Sequence, residues 1–152
     1  MRLLLLRHGR AAGGHDEAAL TAEGRAAVVR ALRHPALAEL GTPLQLVHSP
    51  LRRAVETAAL VADAFAVATR TEEPALRPEG DPAAAGRRLA ALGEGAGALV
   101  AVAHLPLLPE LARWFAEVRL PFAPGQGWLL EAEHLWQGSA RILAEIDHAA
   151  AP

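Results

Sequence analysis

The chain has 152 residues, a length that predicts one domain with one hydrophobic core, covering residues 1–152. Its formal net charge of −2 and its 52% of apolar residues give no sign of disorder, of a nucleic-acid partner or of an anionic membrane partner. The absence of cysteine excludes disulfides, thiolate nucleophiles and cysteine-ligated metals.

The apolar run near the start, residues 3–6, is too short for a targeting or membrane segment. A signal peptide needs about 7–15 apolar residues and a membrane helix about 20. We therefore expect a cytoplasmic protein with no membrane partner.

The first third of the chain alternates strand and helix patterns. Residues 3–6 predict a buried strand, because four consecutive leucine side chains leave no polar face, and Gly9 begins the loop after it. Thr21 predicts the cap of a helix over residues 22–34. Residues 44–48 predict a second buried strand.

The middle of the chain continues the alternation. Ser49 and Pro50 predict a helix start, with serine as the cap and proline in the first turn, and the helix should reach Phe65. Residues 68–71 predict a short strand, and the prolines of residues 72–82 indicate a loop.

The last half begins with a predicted helix over residues 83–92 and a buried strand over residues 98–103. Pro106 and Pro109 open a further helix, which is predicted to extend to Val118. The remaining predicted elements are two strands, residues 128–133 and 140–146, joined by a turn at residues 137–138.

Alternating strands and helices with fully apolar strands predict an α/β fold. Both faces of such a sheet must be covered, so we expect a three-layer α/β/α sandwich around a mostly parallel sheet. Ligands of these folds bind beyond the carboxyl ends of the strands. Arg7 and His8, then His48, then His104 fall at three such ends.

Arginine and histidine at these positions indicate phosphate chemistry. His8 ends one buried strand and His104 ends another, and Gly9 allows a ligand to approach closely. A guanidinium donates paired hydrogen bonds to a phosphate, and a neutral imidazole is a nucleophile toward phosphorus. The second imidazole can donate to the phosphoryl oxygens as negative charge develops.

The helix after the second strand supplies a second arginine. At ~100° per residue, Leu51, Val55, Ala58, Ala62 and Phe65 form an apolar stripe. On the same projection Arg52 groups with Glu56 on the solvent side, whereas Arg53 points away from that group. The projection therefore predicts Arg53, rather than Arg52, as the phosphate ligand, close to a helix start that itself favours anions.

Four motifs together resemble the histidine phosphatase superfamily, whose fold is that of phosphoglycerate mutase. They are Leu-Leu-Arg-His-Gly at residues 5–9, Leu-Thr-Ala-Glu-Gly at 20–24, Ser-Pro-Leu-Arg-Arg-Ala-Val-Glu-Thr-Ala at 49–58 and Ala-His-Leu-Pro-Leu at 103–107. The resemblance implies a catalytic set of His8, the phosphorylated nucleophile, with Arg7, Arg53 and His104 binding phosphate. No pair of histidines has metal-ligand spacing with an acidic third ligand, so we expect no metal and no cofactor.

Only residues 72–97 separate the central helix from the His104 strand, which leaves no room for the long insertions of larger members. The His-Leu-Pro-Leu string at residues 104–107 and the Leu-Arg-Pro-Glu-Gly-Asp segment at residues 76–81 are similar to the short phosphohistidine phosphatases of the SixA type. The resemblance implies that the partner is a histidine-phosphorylated protein domain and that phosphate or oxyanion analogues occupy the pocket. Three departures stand out: Arg10 replaces a frequent acidic residue, Ala103 replaces glycine or serine, and no general acid is evident. Glu79 and Asp81 are weak candidates for that acid, more typical of loop or helix-cap residues.

Several functions remain open at this point. The sequence favours removal of phosphate from protein phosphohistidine. The alternative is a small-molecule phosphomonoesterase, broad or metabolite-specific, with the same mechanism. A mutase or a non-catalytic phosphate-binding module is less favoured.

Overall fold

In the computed structural model, which describes residues 1–148, one mixed six-stranded sheet carries the fold. The spatial order of its strands is β3-β2-β4-β1-β5-β6, and β3, β2, β4 and β1 are mutually parallel. β5 runs antiparallel to β1, and β6 runs antiparallel to β5. The strands are Arg2–Arg7 (β1), Leu44–His48 (β2), Thr71–Glu72 (β3), Ala98–Ala103 (β4), Gly127–Glu131 (β5) and Arg141–Ile146 (β6).

Helices cover both faces of the sheet, as the apolar strands require. One apolar core joins the sheet to α3 and α4, and a second joins the opposite face to α1 and α2. The predicted three-layer α/β/α architecture is therefore confirmed. The α-helices are Ala22–Ala31 (α1), Arg52–Phe65 (α2), Pro82–Leu92 (α3) and Leu107–Ala116 (α4), with short 3₁₀ helices at Pro35–Leu37 and Pro74–Leu76.

The predicted start of α2 was wrong. Ser49 does not cap the helix; its backbone N–H donates to the Val102 carbonyl at 3.0 Å and so extends the pairing of β2 with β4. The helix begins at Arg52 instead, and no side chain caps it. The buried face is also rotated from the predicted stripe, because Ala54 and Val61 are fully buried while Val55 is only half-buried.

Three other predicted boundaries move. α1 ends at Ala31, short of residue 34, because His34 takes an extended ψ ahead of Pro35. β3 lies at Thr71–Glu72, where it pairs with the end of β2, and not at residues 68–71. α4 stops at Ala116, before Val118, because Glu117 adopts a left-handed conformation with φ of 61°.

The sheet brings the three polar strand ends together. β4 lies between β2 and β1, and the register pairs Arg7 with Ala103 and His48 with Val102. The residues that follow these strands, His8, Ser49 and His104, are therefore neighbours at one edge of the molecule. This edge is the carboxyl end of the parallel strands, where the fold class places ligand sites.

Candidate active site

Arg7, His8, Arg53 and His104 all line one cleft at this edge, with a volume of about 360 Å³. Arg7 ends β1 and His8 follows it, Arg53 lies in the first turn of α2, and His104 directly follows β4. The rest of the wall is Arg10, Ala11, Gly13, Gly14, Leu105 and Pro124. No carboxylate of the described residues lines the cleft.

The ring of His8 is held in one tautomer. Its Nδ1 lies 2.7 Å from the Gly9 carbonyl oxygen, which can only accept, so Nδ1 carries the proton. Nε2 is then left with its lone pair, which accepts from Nε of Arg53 at 3.3 Å. The nitrogen free to attack an electrophile therefore lies beside a guanidinium.

Gly9 is fixed as tightly as the ring. Its N–H donates to Oγ1 of Thr57 at 3.1 Å, and the same hydroxyl donates to the Arg53 carbonyl at 2.8 Å. A side chain at Gly9 would place a Cβ 2.9 Å from the Val28 side chain. Thr57, fully buried on α2, thus ties the loop of His8 to the helix of Arg53.

His104 is oriented by Ser49, a residue that sequence reasoning took for a helix cap. Oγ of Ser49 lies 2.6 Å from Nε2 of His104 and also accepts from the Leu51 N–H at 3.3 Å. Within residues 1–148 the hydroxyl proton has no other acceptor, so it is donated to Nε2 and the His104 proton resides on Nδ1. Ser49 before Pro50 is visible in the sequence. Its role as the partner of His104 depends on how β2 pairs with β4, which the sequence does not show.

Two buried polar atoms of the described residues have no hydrogen-bond partner, and both belong to this cleft: Nε of Arg7 and Nδ1 of His104. Another nitrogen of Arg7 donates to the Phe122 carbonyl at 2.9 Å, which anchors the side chain and leaves Nε unused. A buried donor without an acceptor destabilises the folded state. Two such donors in one cleft therefore indicate that a ligand supplies the acceptors.

Both imidazoles are kept neutral. The pKa of His8 is lowered to about 4, chiefly by burial and also by the charges of Arg53 and Arg7, while the hydrogen bond to the Gly9 carbonyl opposes the shift. Burial lowers the pKa of His104 to about 3, with further contributions from His8, Arg53 and Arg7. The ring centroids of the two histidines are 4.9 Å apart. At neutral pH the cleft therefore contains neutral imidazoles and cationic guanidiniums.

Neither Arg52, which the helical projection placed on the solvent side, nor His48 at the end of β2 lines the cleft. Arg52 is exposed and pairs with Glu56 at 3.1 Å, one turn along α2. His48 is buried, and its Nδ1 lies 2.9 Å from the Ser49 carbonyl oxygen, away from the cleft.

The two candidate general acids are absent from the cleft wall. Asp81 caps α3 by accepting from the Ala84 N–H at 2.8 Å, and Glu79 is exposed in the preceding loop. Within residues 1–148 there is no group of three His, Cys, Asp or Glu side chains that could hold a metal ion, and no helix long and apolar enough to cross a membrane. Metal independence and a cytoplasmic location stay predictions.

Comparison with known proteins identifies the family. Residues 3–78 match the model of the histidine phosphatase superfamily, branch 1. The matched segment is half of the chain and contains Arg7, His8 and Arg53. The chain therefore belongs to the histidine phosphatase superfamily and is a phosphatase. A search of curated proteins by sequence found no match.

Solved structures with different substrates share the fold. The protein histidine phosphatase SixA complexed with tungstate is 22% identical, with a TM-score of 0.84 over 98% of both chains. A mycobacterial glucosyl-3-phosphoglycerate phosphatase is 20% identical, with a TM-score of 0.68 over 94% of this chain and 97% of its own. A phosphoserine phosphatase mutant from Entamoeba histolytica, bound to phosphoserine, is 12% identical, with a TM-score of 0.72 over 98% of both chains. At these identities the likeness establishes the phosphoglycerate-mutase-like fold, not the substrate.

Proposed function

We propose that this phosphatase works through a covalent phosphate on His8 and that its substrates are phosphohistidines of proteins. One observation carries the mechanism: among the described residues the cleft gathers three guanidiniums and two neutral imidazoles with no carboxylate, and leaves Nε of Arg7 and Nδ1 of His104 without acceptors. A phosphoryl dianion provides the negative charge and the oxygen acceptors that these groups lack.

In the first step Nε2 of His8 attacks phosphorus. A P–N bond forms, the bond to the leaving group breaks, and the leaving group departs with the electron pair. His8 keeps its Nδ1 proton on the Gly9 carbonyl, which stabilises the cationic phosphoimidazole ring. Arg7 and Arg53 hold the equatorial oxygens, and the Nδ1–H of His104 donates to one of them as charge develops. In the second step water attacks phosphorus, releasing inorganic phosphate and neutral His8.

Phosphohistidine suits a cleft without a carboxylic acid. Its P–N bond is labile, so the imidazole departs with little help from an acid, whereas an alkoxide needs more. Neither Glu79 nor Asp81 lines the cleft, and no other carboxyl of the described residues does.

The rim of the cleft favours a protein substrate. Its lining includes Ala11 and the exposed residues Gly13 and Gly14, which add at most a methyl group to the wall. A phosphate displayed on a protein surface can then approach without a loop having to open. The metabolite alternative draws support from the fold relatives that act on phosphoserine or a sugar phosphoglycerate.

A bulky substitution at the rim of the cleft should distinguish a protein substrate from a small-molecule substrate. A Cβ at Gly14 would meet no atom within 4 Å, so Gly14→Trp adds a wall at the mouth without disturbing the fold. We expect this variant to lose about tenfold or more in kcat/KM on a histidine-phosphorylated protein domain. On p-nitrophenyl phosphate, which is small enough to pass, the change should be about twofold or less.

The matched control is Glu94→Trp, which places the same side chain on an exposed turn before β4, at the opposite end of the sheet. This control variant should keep the wild-type kcat/KM on both substrates. Equal losses of Gly14→Trp on the two substrates, or a wild-type preference for a phosphorylated metabolite over the protein domain, would contradict a protein substrate.

A further inference from the structure

Arg10 is a third arginine of the cleft, and its guanidinium has no partner. The side chain is exposed and lines the same wall as Arg7 and Arg53. Among the described residues no carboxylate pairs with it, whereas Arg52, also exposed, pairs with Glu56. A cation that faces a cleft without acidic groups is available to an anionic ligand.

The backbone of Arg10 is held by the start of α1. Its carbonyl accepts from the Thr21 N–H at 3.0 Å and from the Thr21 hydroxyl at 3.4 Å. Gly24 packs so closely that a Cβ there would lie 2.4 Å from the same carbonyl oxygen. The motif at residues 20–24 therefore fixes where the Arg10 side chain leaves the chain.

Arg10 differs from the other two arginines of the cleft in its exposure. Arg7 and Arg53 are half-buried and Arg53 donates to Nε2 of His8, whereas Arg10 is exposed at the cleft wall. The cleft, at about 360 Å³, has the volume of a small-ligand site and extends beyond a single phosphate. The position fits an anionic group of the substrate that is not the phosphoryl group itself.

We propose that Arg10 binds a carboxylate of the substrate, beside the phosphoryl group held by Arg7 and Arg53. This rests on the proposed function, because it assumes that the phosphoryl group occupies the floor of the cleft. The carboxylate has two sources: a small phosphorylated carboxylic acid, or an acidic side chain next to a phosphohistidine. Arg10 is thus a specificity residue, which should act on affinity and KM more than on kcat.

The first arm of the test measures binding without turnover. Calorimetry gives the Kd of methylphosphonate, phosphonoacetate and 3-phosphonopropionate, which share the phosphonate and differ in the carboxylate and its spacer. For a small-molecule source, one of the carboxylated ligands should bind wild type roughly three- to tenfold more tightly than methylphosphonate. Arg10→Gln should abolish that preference while leaving methylphosphonate unchanged, and Arg10→Lys should retain part of it.

The second arm uses phosphohistidine peptides with either Asp or Asn next to the phosphohistidine. For a protein source, the Asp peptide should have the lower KM on wild type, and Arg10→Gln should remove the difference with kcat unchanged. Arg30→Gln, which changes an exposed arginine near the end of α1, is the control and should alter neither arm.

If Arg10→Gln loses the preference for a carboxylated phosphonate, the carboxylate belongs to a small phosphorylated acid. If it loses the preference for the Asp peptide, the carboxylate is an acidic side chain beside the phosphohistidine. If Arg10→Gln changes neither preference, or wild type has none in either arm, the proposal is overturned. Failure of the proposed function would look different: the phosphonates would bind, but His8 would never carry phosphate.

Discussion

The two ends of the sheet each carry a cavity, and the smaller one gathers the candidate catalytic residues. The larger, about 860 Å³, lies at the amino ends of β1 and β4, between Met1, the turn after α3 and Trp136. Its wall mixes both signs of charge, with Arg87, Glu94 and Glu133. The cleft of about 360 Å³ at the carboxyl ends has arginines, histidines and no carboxylate. The candidate phosphate site differs from the larger cavity in its uncompensated positive charge and in its hydrogen-bond donors without acceptors, and not by a larger volume.

The largest difference in activity is expected between variants of Arg53, which lines the cleft, and of its neighbour Arg52, which does not. Arg53 donates to Nε2 of His8, and Arg52 pairs with Glu56 in solvent. We expect Arg53→Gln to lower kcat/KM on the order of 100-fold, because a donor to the developing charge is lost. Arg52→Gln should change it by about twofold or less, since exposed ion pairs contribute little. Similar losses in both variants would show that the cleft is not the site.

A smaller loss is expected from Ser49→Ala, which frees the His104 ring. The 2.6 Å contact to Nε2 disappears, so the proton on Nδ1 is no longer fixed there. We predict roughly a tenfold decrease in kcat with little change in KM, because the proton is needed in the transition state. Ser49→Thr, which keeps the hydroxyl, should recover part of the rate. A loss in KM alone would contradict this role.

The buried histidines should also make the cleft end acid-sensitive. The folded-state pKa of His104 is about 3, below the ordinary 6.5, so the unfolded chain binds more protons between these values. The contribution is present above pH 6.5 and is lost as the pH drops toward 3, with a loss of roughly 3 kcal/mol at pH 4.5 for this histidine. Urea unfolding at pH 7.5 and 4.5 should show a smaller decrease for His104→Gln than for wild type. Equal decreases would mean that His104 does not contribute.

The smallest effect is predicted for Asp81→Ala. Asp81 caps α3 and does not line the cleft, so its loss should destabilise the fold by about 1 kcal/mol. The kcat on alkyl phosphate esters should stay near the wild-type value. A large decrease there, with normal stability, would make Asp81 the missing general acid.

The fold, and the convergence of the four candidate site residues on one cleft, could be predicted because their signals are local. β2 is a mainly apolar run that ends in His48, β4 is a continuous apolar run followed by His104, and the bounds of both were predicted correctly. The position of Arg53 beside His8 followed from a helical projection combined with family motifs. Parallel strands then bring His8 and His104 together without further information from the sequence.

Ser49 and Thr57 could not be assigned in the same way. Ser49 before a proline is typical of a helix cap, but pairing with β4 moves the helix start to Arg52 and turns the hydroxyl toward His104. Thr57 is fully buried because it serves both Gly9 and Arg53. A helical projection based on hydrophobicity counts Thr57 as polar, so the buried face that it predicts for α2 is rotated from the observed one. These roles depend on contacts between distant segments.

The most direct test of the central claim is to locate the phosphate during turnover. Wild type, His8→Ala and His104→Gln would be mixed with a labelled phosphodonor, quenched in alkali and mapped by mass spectrometry. We predict an alkali-stable, acid-labile phosphate on His8 in wild type, slower labelling of His8 in His104→Gln, and no label in His8→Ala. Label on any other residue, or undiminished label in His8→Ala, would contradict the account.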